Sequence, residues 1–129
     1  MEFVVKENPS EVAEYAAGTV RSLISDKPDA NIAVPTGKTP LPLFKLLANM
    51  ALRRNPALDQ VHWFALDEFS GADIPRESSF ANLLEDRLIT PAGLAIEQLH
   101  SLSGSAPDPA GEARRYEQHI KSRGGLDLA

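Results

Sequence analysis

Asn31 to Leu41, Asn-Ile-Ala-Val-Pro-Thr-Gly-Lys-Thr-Pro-Leu, narrows the fold more than any other stretch of this chain. Ile32, Ala33 and Val34 make a short apolar strand. Pro35 cannot donate to a sheet ladder and closes it, and Gly37 permits the positive-φ turn that follows. Thr39 then offers a hydroxyl as N-cap, with Pro40 at the first helical position, so a helix starts with its free N–H groups aimed back at the loop. Strand, glycine turn and capped helix are the ordinary connection of an α/β domain. The same layout can cradle a phosphate, because an anion placed there meets backbone donors and the positive end of the helix dipole. Gly37-Lys38-Thr39 also looks like the tail of a nucleotide-binding P-loop. That loop needs a glycine five positions before Gly37, where this chain has Ile32, so the nucleotide reading is rejected.

The segments on either side continue the alternation of strand and helix. Phe3-Val4-Val5 fits a short first strand. Asn8-Pro9-Ser10-Glu11 supplies a cap, a first-turn proline and a Glu at N3 for a helix with Val12, Ala16, Val20, Leu23 and Ile24 at helical spacing. After the central strand, a helix from about Pro40 to Arg54 carries Phe44, Leu47 and Ala51 on one face and ends before Pro56. Val61 to Leu66 is nearly continuous apolar and aromatic sequence, as a strand covered on both faces of a parallel sheet requires. Ser78 or Ser79 caps a helix with Phe80, Leu83, Leu84 and Leu88, and Thr90-Pro91 opens a further turn. Gln98 to Leu102 reads as a strand, Asp108-Pro109 starts a polar helix that stops at Gly124-Gly125, and Leu126 to Ala129 opens another strand. No linker interrupts the pattern, so residues 1–129 are expected to form one α/β domain.

Composition bounds the partners. The chain has no cysteine, which excludes disulfides and thiolate metal sites and fits a reducing, cytoplasmic setting. The N-terminal apolar run is too short for a signal peptide or a membrane span. A net charge of −5 argues against nucleic-acid binding, since the pairs Arg53-Arg54 and Arg114-Arg115 are local. His62, His100 and His119 are far apart in sequence and match no metal-ligand spacing, so no metal is expected. His62 is expected to be packed or hydrogen-bonded, and His119 falls on a polar helix. No serine stands in a nucleophile elbow.

Chemistry is expected instead where the second apolar strand runs out into Asp67-Glu68-Phe69-Ser70-Gly71. In open parallel sheets, ligands bind at the carboxyl ends of the strands. That rule places Thr36, Gly37, Lys38 and Thr39 on one edge with Asp67 and Glu68. A carboxylate leaving an apolar strand beside a cleft either begins a polar loop or serves as a tuned general base.

Four stretches in order, Val34 to Pro40, Leu66 to Gly71, Glu77-Ser78-Ser79-Phe80 and Gly104 to Asp108, resemble the glucosamine-6-phosphate deaminase (isomerase) family, and the resemblance continues through Tyr116 to Lys121 and Gly124 to Leu128. It implies a three-layer α/β/α, Rossmann-like fold with a mostly parallel sheet, of which this chain would be the N-terminal part. It also implies a ring-opened 2-amino-sugar 6-phosphate held at Thr36 to Thr39, with Asp67 moving the proton between C1 and C2, ammonia released, and no cofactor. Glu68 would stand in support. Lys38 replaces the small residue usual at its position, and a cation there adds attraction for an anion. The sister family, 6-phosphogluconolactonase, is the alternative, but it typically reads Gly-Gly-Ser-Thr-Pro at the cradle and places an arginine where Phe69 follows Asp67-Glu68. A non-catalytic sugar-phosphate-binding module is the third reading. The family's next motif, with its ring-opening histidine, would begin after Ala129, so the chain alone is expected not to complete the reaction. It is also expected to expose an apolar edge, giving a homo-oligomer or marginal stability.

Overall fold

The structure, a computed structural model, describes residues 3–71 and 75–129. Met1 and Glu2 of the N-terminal run, and residues 72–74 of the loop beyond Gly71, lie outside the described residues. Among the described residues, three parallel strands form the sheet: β1 (Asn31–Val34), β2 (His62–Ala65) and β3 (Leu99–His100), in the order β1-β2-β3. The register pairs Ile32 with Trp63, Val34 with Ala65 and Phe64 with His100. Leu128 adds a parallel bridge to Ile32 on the free side of β1, and the Ala33 N–H donates to its carbonyl at 2.8 Å. The strand opening expected at Leu126 to Ala129 is therefore present as one rung.

Alternation along the strands sorts side chains into two layers. Ile32, Val34, Trp63 and Ala65 face α1 (Pro9–Asp26), α2 (Leu41–Leu52) and the helical run α3 (Phe80–Leu84), the π turn Glu85–Ile89 and α4 (Thr90–Ala92). Ala33 and Phe64 face the other way, onto Tyr116 of α5 (Pro109–Ser122), with Leu102 and Ile120 beside them. The three-layer α/β/α arrangement follows directly.

Several local expectations shift. Phe3 to Lys6 form no strand, and Phe3 and Val5 are 82% and 89% exposed. The edge of β1 that such a strand could pair with is held by Leu128. In α1 the cap is as expected: Asn8 Oδ1 accepts from the Glu11 N–H at 3.0 Å, and the Glu11 carboxylate reaches back to the Glu7 N–H. Its buried face, however, is Ala13, Ala17, Val20 and Ile24, with Val12 half exposed. Helix α2 starts at Leu41, not Pro40. Pro40 is its cap residue, Thr39 makes no side-chain cap, and Pro42 takes the first turn, where a missing N–H costs nothing. Two prolines two residues apart both suit a helix start, and sequence does not choose between them. Leu66 lies past the end of β2 and is exposed. Gln98 is not in β3. Its buried side chain donates to the Leu58 and Val61 carbonyls, both at 2.8 Å, and accepts from the Ala95 N–H, which holds it in a 3-10 turn.

Candidate active site

Because Val34 and Ala65 are paired, the chain leaves β1 and β2 at the same level of the sheet. Thr36 and Asp67 each follow two residues later, so the glycine loop and the acidic loop share the carboxyl edge, as the strand rule requires. Gly37 has φ +104°, the left-handed region that favours glycine, and a Cβ built there would meet nothing. Gly37, Lys38 and Thr39 are exposed and Thr36 is half-buried. Among the described residues, the backbone N–H groups of Thr36 to Thr39 donate to no protein acceptor, while the Leu41 N–H turns back to the Lys38 carbonyl at 3.3 Å. The loop thus offers donors to an incoming anion at the start of α2.

Asp67 and Glu68, adjacent in sequence, have different surroundings. Asp67 is exposed at the loop edge and, among the described residues, accepts no hydrogen bond. Glu68 turns inward. Its carboxylate accepts from Ser79 Oγ at 2.7 Å and from the N–H groups of Phe80, Ala81 and Phe69 at 3.0, 3.1 and 3.0 Å. Partial burial pushes its pKa up, but the hydrogen bonds from Phe80, Ala81, Ser79 and Phe69 outweigh that and hold it below the usual carboxylate range. Glu68 therefore pins the acidic loop to the first turn of α3, where Ser79 is the cap residue. Phe69 packs on Phe80 across the same joint, ring centroids 4.7 Å apart. A third loop joins the edge: the Gly71 N–H donates to the Gly104 carbonyl, 2.9 Å, tying the loop after β2 to the loop after β3.

The three histidines, far apart in sequence, meet on the α5 side of the sheet and away from the loops: His62 Nδ1 lies 3.0 Å from His100 Nε2, and His100 Nδ1 lies 3.1 Å from His119 Nε2. Sequence reading treated them singly. The clue available was their placement at the start of one strand, the end of its neighbour and the crossover helix above.

Residues 6–129 match the family described as glucosamine-6-phosphate isomerases/6-phosphogluconolactonase. The chain belongs to this family. Its curated relatives include the glucosamine-6-phosphate deaminase of Arthrobacter sp. (strain FB24), 30% identical over 99% of this chain and 49% of the relative, and that of Pseudoalteromonas translucida (strain TAC 125), 32% identical over 99% and 48%. The chain thus spans about half the length of the curated relatives it matches. A solved structure described as a monomeric glucosamine-6-phosphate deaminase superposes with a TM-score of 0.88 at 28% identity, covering 98% of this chain and 53% of that one. The 6-phosphogluconolactonase of Thermotoga maritima superposes at 0.70 with 21% identity over 93% of this chain and 52% of that one, a likeness of fold alone. Membership fixes the Rossmann-like frame in which the glycine loop and the acidic loop are set. Among the described residues, no helix is long and apolar enough to cross a membrane.

Proposed function

We propose that this chain carries the phosphate cradle and the proton-transferring carboxylate of a glucosamine-6-phosphate deaminase/isomerase of the cytoplasm. The observation that supports it best is the Val34–Ala65 register, which brings Thr36 to Thr39 and Asp67 to one edge of a family fold whose similar relatives are deaminases. In this reading the 6-phosphate of an open-chain 2-amino aldose lies against the N–H groups of Gly37, Lys38 and Thr39 and the hydroxyls of Thr36 and Thr39. The Lys38 ammonium adds charge attraction. Asp67 takes the proton from C2 and returns it to C1, leaving an imine at C2 that water hydrolyses to the ketone and ammonia. Exclusion of water from Asp67 then comes with the substrate, which covers it. Glu68 holds the loop that presents Asp67. The histidines are occupied with one another on the α5 side, away from the edge that holds Asp67.

Two measurements test this. Titrating glucosamine 6-phosphate into isotope-labelled chain should move the amide signals of Gly37, Lys38 and Thr39 first, with unphosphorylated glucosamine leaving them in place; amides that stay still in both titrations reject the cradle. Asp67→Asn should retain that binding but slow solvent exchange of the sugar's C1 and C2 protons by roughly 10²-fold. Undiminished exchange in the folded variant removes Asp67 from the role.

A further inference from the structure

Three imidazoles joined in a row are an unusual way to fasten a helix to a sheet. His62 opens β2, His100 closes β3 and His119 lies in the last turn of α5. The rings are packed as well as bonded: His100 stacks on Phe64 with centroids 4.6 Å apart, and His119 and His62 lie 4.8 and 5.2 Å from His100. All three are half-buried. His100 gives one ring nitrogen to each neighbour, so the nitrogens pair off along a line instead of converging on a point.

The proton count of such a line is limited. A neutral imidazole has one N–H and one acceptor nitrogen. Each of the two bonds needs one proton, and the outer nitrogens, Nε2 of His62 and Nδ1 of His119, are free to hold the rest. One added proton keeps both bonds intact, and moving protons along the bonds places the charge on any of the three rings. A second added proton has nowhere to go except into a bond that already holds one, which sets an N–H against an N–H. We propose that His62, His100 and His119 form a proton-sharing clasp that fastens α5 to β2 and β3 while it carries at most one added proton, and that a second proton loosens this seam, making the packing of α5 acid-sensitive.

Most of the surroundings act in the same direction. Arg123, anchored by its Nε–H on Asn31 Oδ1 at 3.1 Å, bears on both His62 and His100 from the end of α5. Asp29, from the turn before β1, bears on His62 with the opposite sign. Tyr116 of α5, kept protonated by burial with its pKa pushed up to about 12, donates to the carbonyls of Ala65 and His100. Burial, then the charges of His119, His62 and Arg123, lower His100 to about 4. The unfolded chain binds the His100 proton near the ordinary 6.5. Between about pH 6.5 and 4 the unfolded state therefore holds more protons, and stability falls as the pH falls through that window. Loosening reaches the carboxyl edge, because the Ala65 carbonyl that Tyr116 holds stands two residues before Asp67.

The test follows the histidine ring signals of the labelled chain from pH 8 to pH 4 by NMR, in chelator-containing buffer. Common inflections shared by all three rings, with a second step at distinctly lower pH, are the expected result; three independent curves of ordinary histidines overturn the proposal. In parallel, the unfolding constant should rise about fivefold or more between pH 7 and pH 5, a window above carboxylate titration. In His100→Phe, which keeps a ring on Phe64 but breaks the line, that rise should fall below about twofold. An undiminished rise in the variant overturns the clasp, and should His100→Phe fail to fold, the ring titration of the unaltered chain decides alone.

Discussion

Neighbouring acidic residues can divide labour when one faces solvent and the other faces donors, and Asp67 and Glu68 do so. From sequence they were a pair at a strand end, with Asp67 favoured for chemistry by its family match. That Glu68 would turn back to cap α3 needed the position of Ser79, eleven residues on, which no local pattern supplies. Glu68→Ala removes four hydrogen bonds to one carboxylate and leaves the Phe80 and Ala81 N–H groups without it. Amide exchange at Phe80 and Ala81 should accelerate at least about tenfold, with a cost of about 2 kcal/mol in stability. Glu68→Gln, which still accepts but carries no charge, should fall between the two. Because the folded pKa of Glu68 is lowered, its contribution is complete above the unfolded carboxylate value of 4.5 and fades as the pH drops below it. Equal exchange rates in Glu68→Ala and the parent would show that the loop is held by other means.

At the level of elements, apolar periodicity gave the helices and the two longer strands, because burial of one face decides them. It missed the seams, which are made by single buried polar groups. Asn31 is the main one. Its Nδ2 donates to the carbonyls of Arg123 and Gly125, at 3.0 and 2.9 Å, its Oδ1 accepts from Arg123, and its own N–H donates to Asp127, which also pairs with Lys27 at 2.8 Å. One asparagine at the head of a strand thus fixes the end of α5 and the segment that bridges β1. Read alone, an asparagine before three apolar residues is an ordinary strand start. Asn31→Ala orphans two carbonyls and should destabilise the chain by about 2–3 kcal/mol, with Leu126 to Ala129 becoming susceptible to carboxypeptidase. The other end of α5 has its own lock. Glu112 accepts from Arg115 at 2.6 and 2.7 Å and from the Ser103 N–H at 2.7 Å, and Arg115 followed by Ser103 holds its carboxyl down at about 2. The stability it adds is present above pH 4.5 and lost as the pH falls toward 2, so Glu112→Gln should flatten that part of an acid-denaturation curve. A curve as steep as the parent's would remove Glu112 from the account.

For the whole molecule, the decisive feature is where apolar surface is left open. A groove of about 270 Å³ runs beside β1, lined by Tyr15, Val20, Val34, Leu43, Leu47 and Leu128 among others. A second groove of about 790 Å³, walled by Lys6 to Asn8, continues it past Val12 and shares Ala16, Pro35 and Leu43 with it. Phe3 and Val5 are exposed in the segment leading in. The apolar edge expected at the last strand is part of this surface, since Leu128 and Ala129 line the first groove and Leu126 is exposed, and the strip runs on from there over the face between α1 and β1. Contiguous apolar surface of this kind associates with its like at rising concentration, since burying it gains about 25 cal/mol per Å². Studied as these 129 residues alone, with the strip open, the chain is predicted to self-associate, whereas the solved deaminase of about twice this length is described as monomeric. Light scattering from about 5 to 200 μM should show the mass climbing above the 14.0 kDa of a single chain. Val12→Lys, at a half-exposed position on the strip, should shift that climb to higher concentration while leaving the melting temperature of the dilute chain within a degree or two. A constant 14.0 kDa mass across the whole range would overturn the prediction.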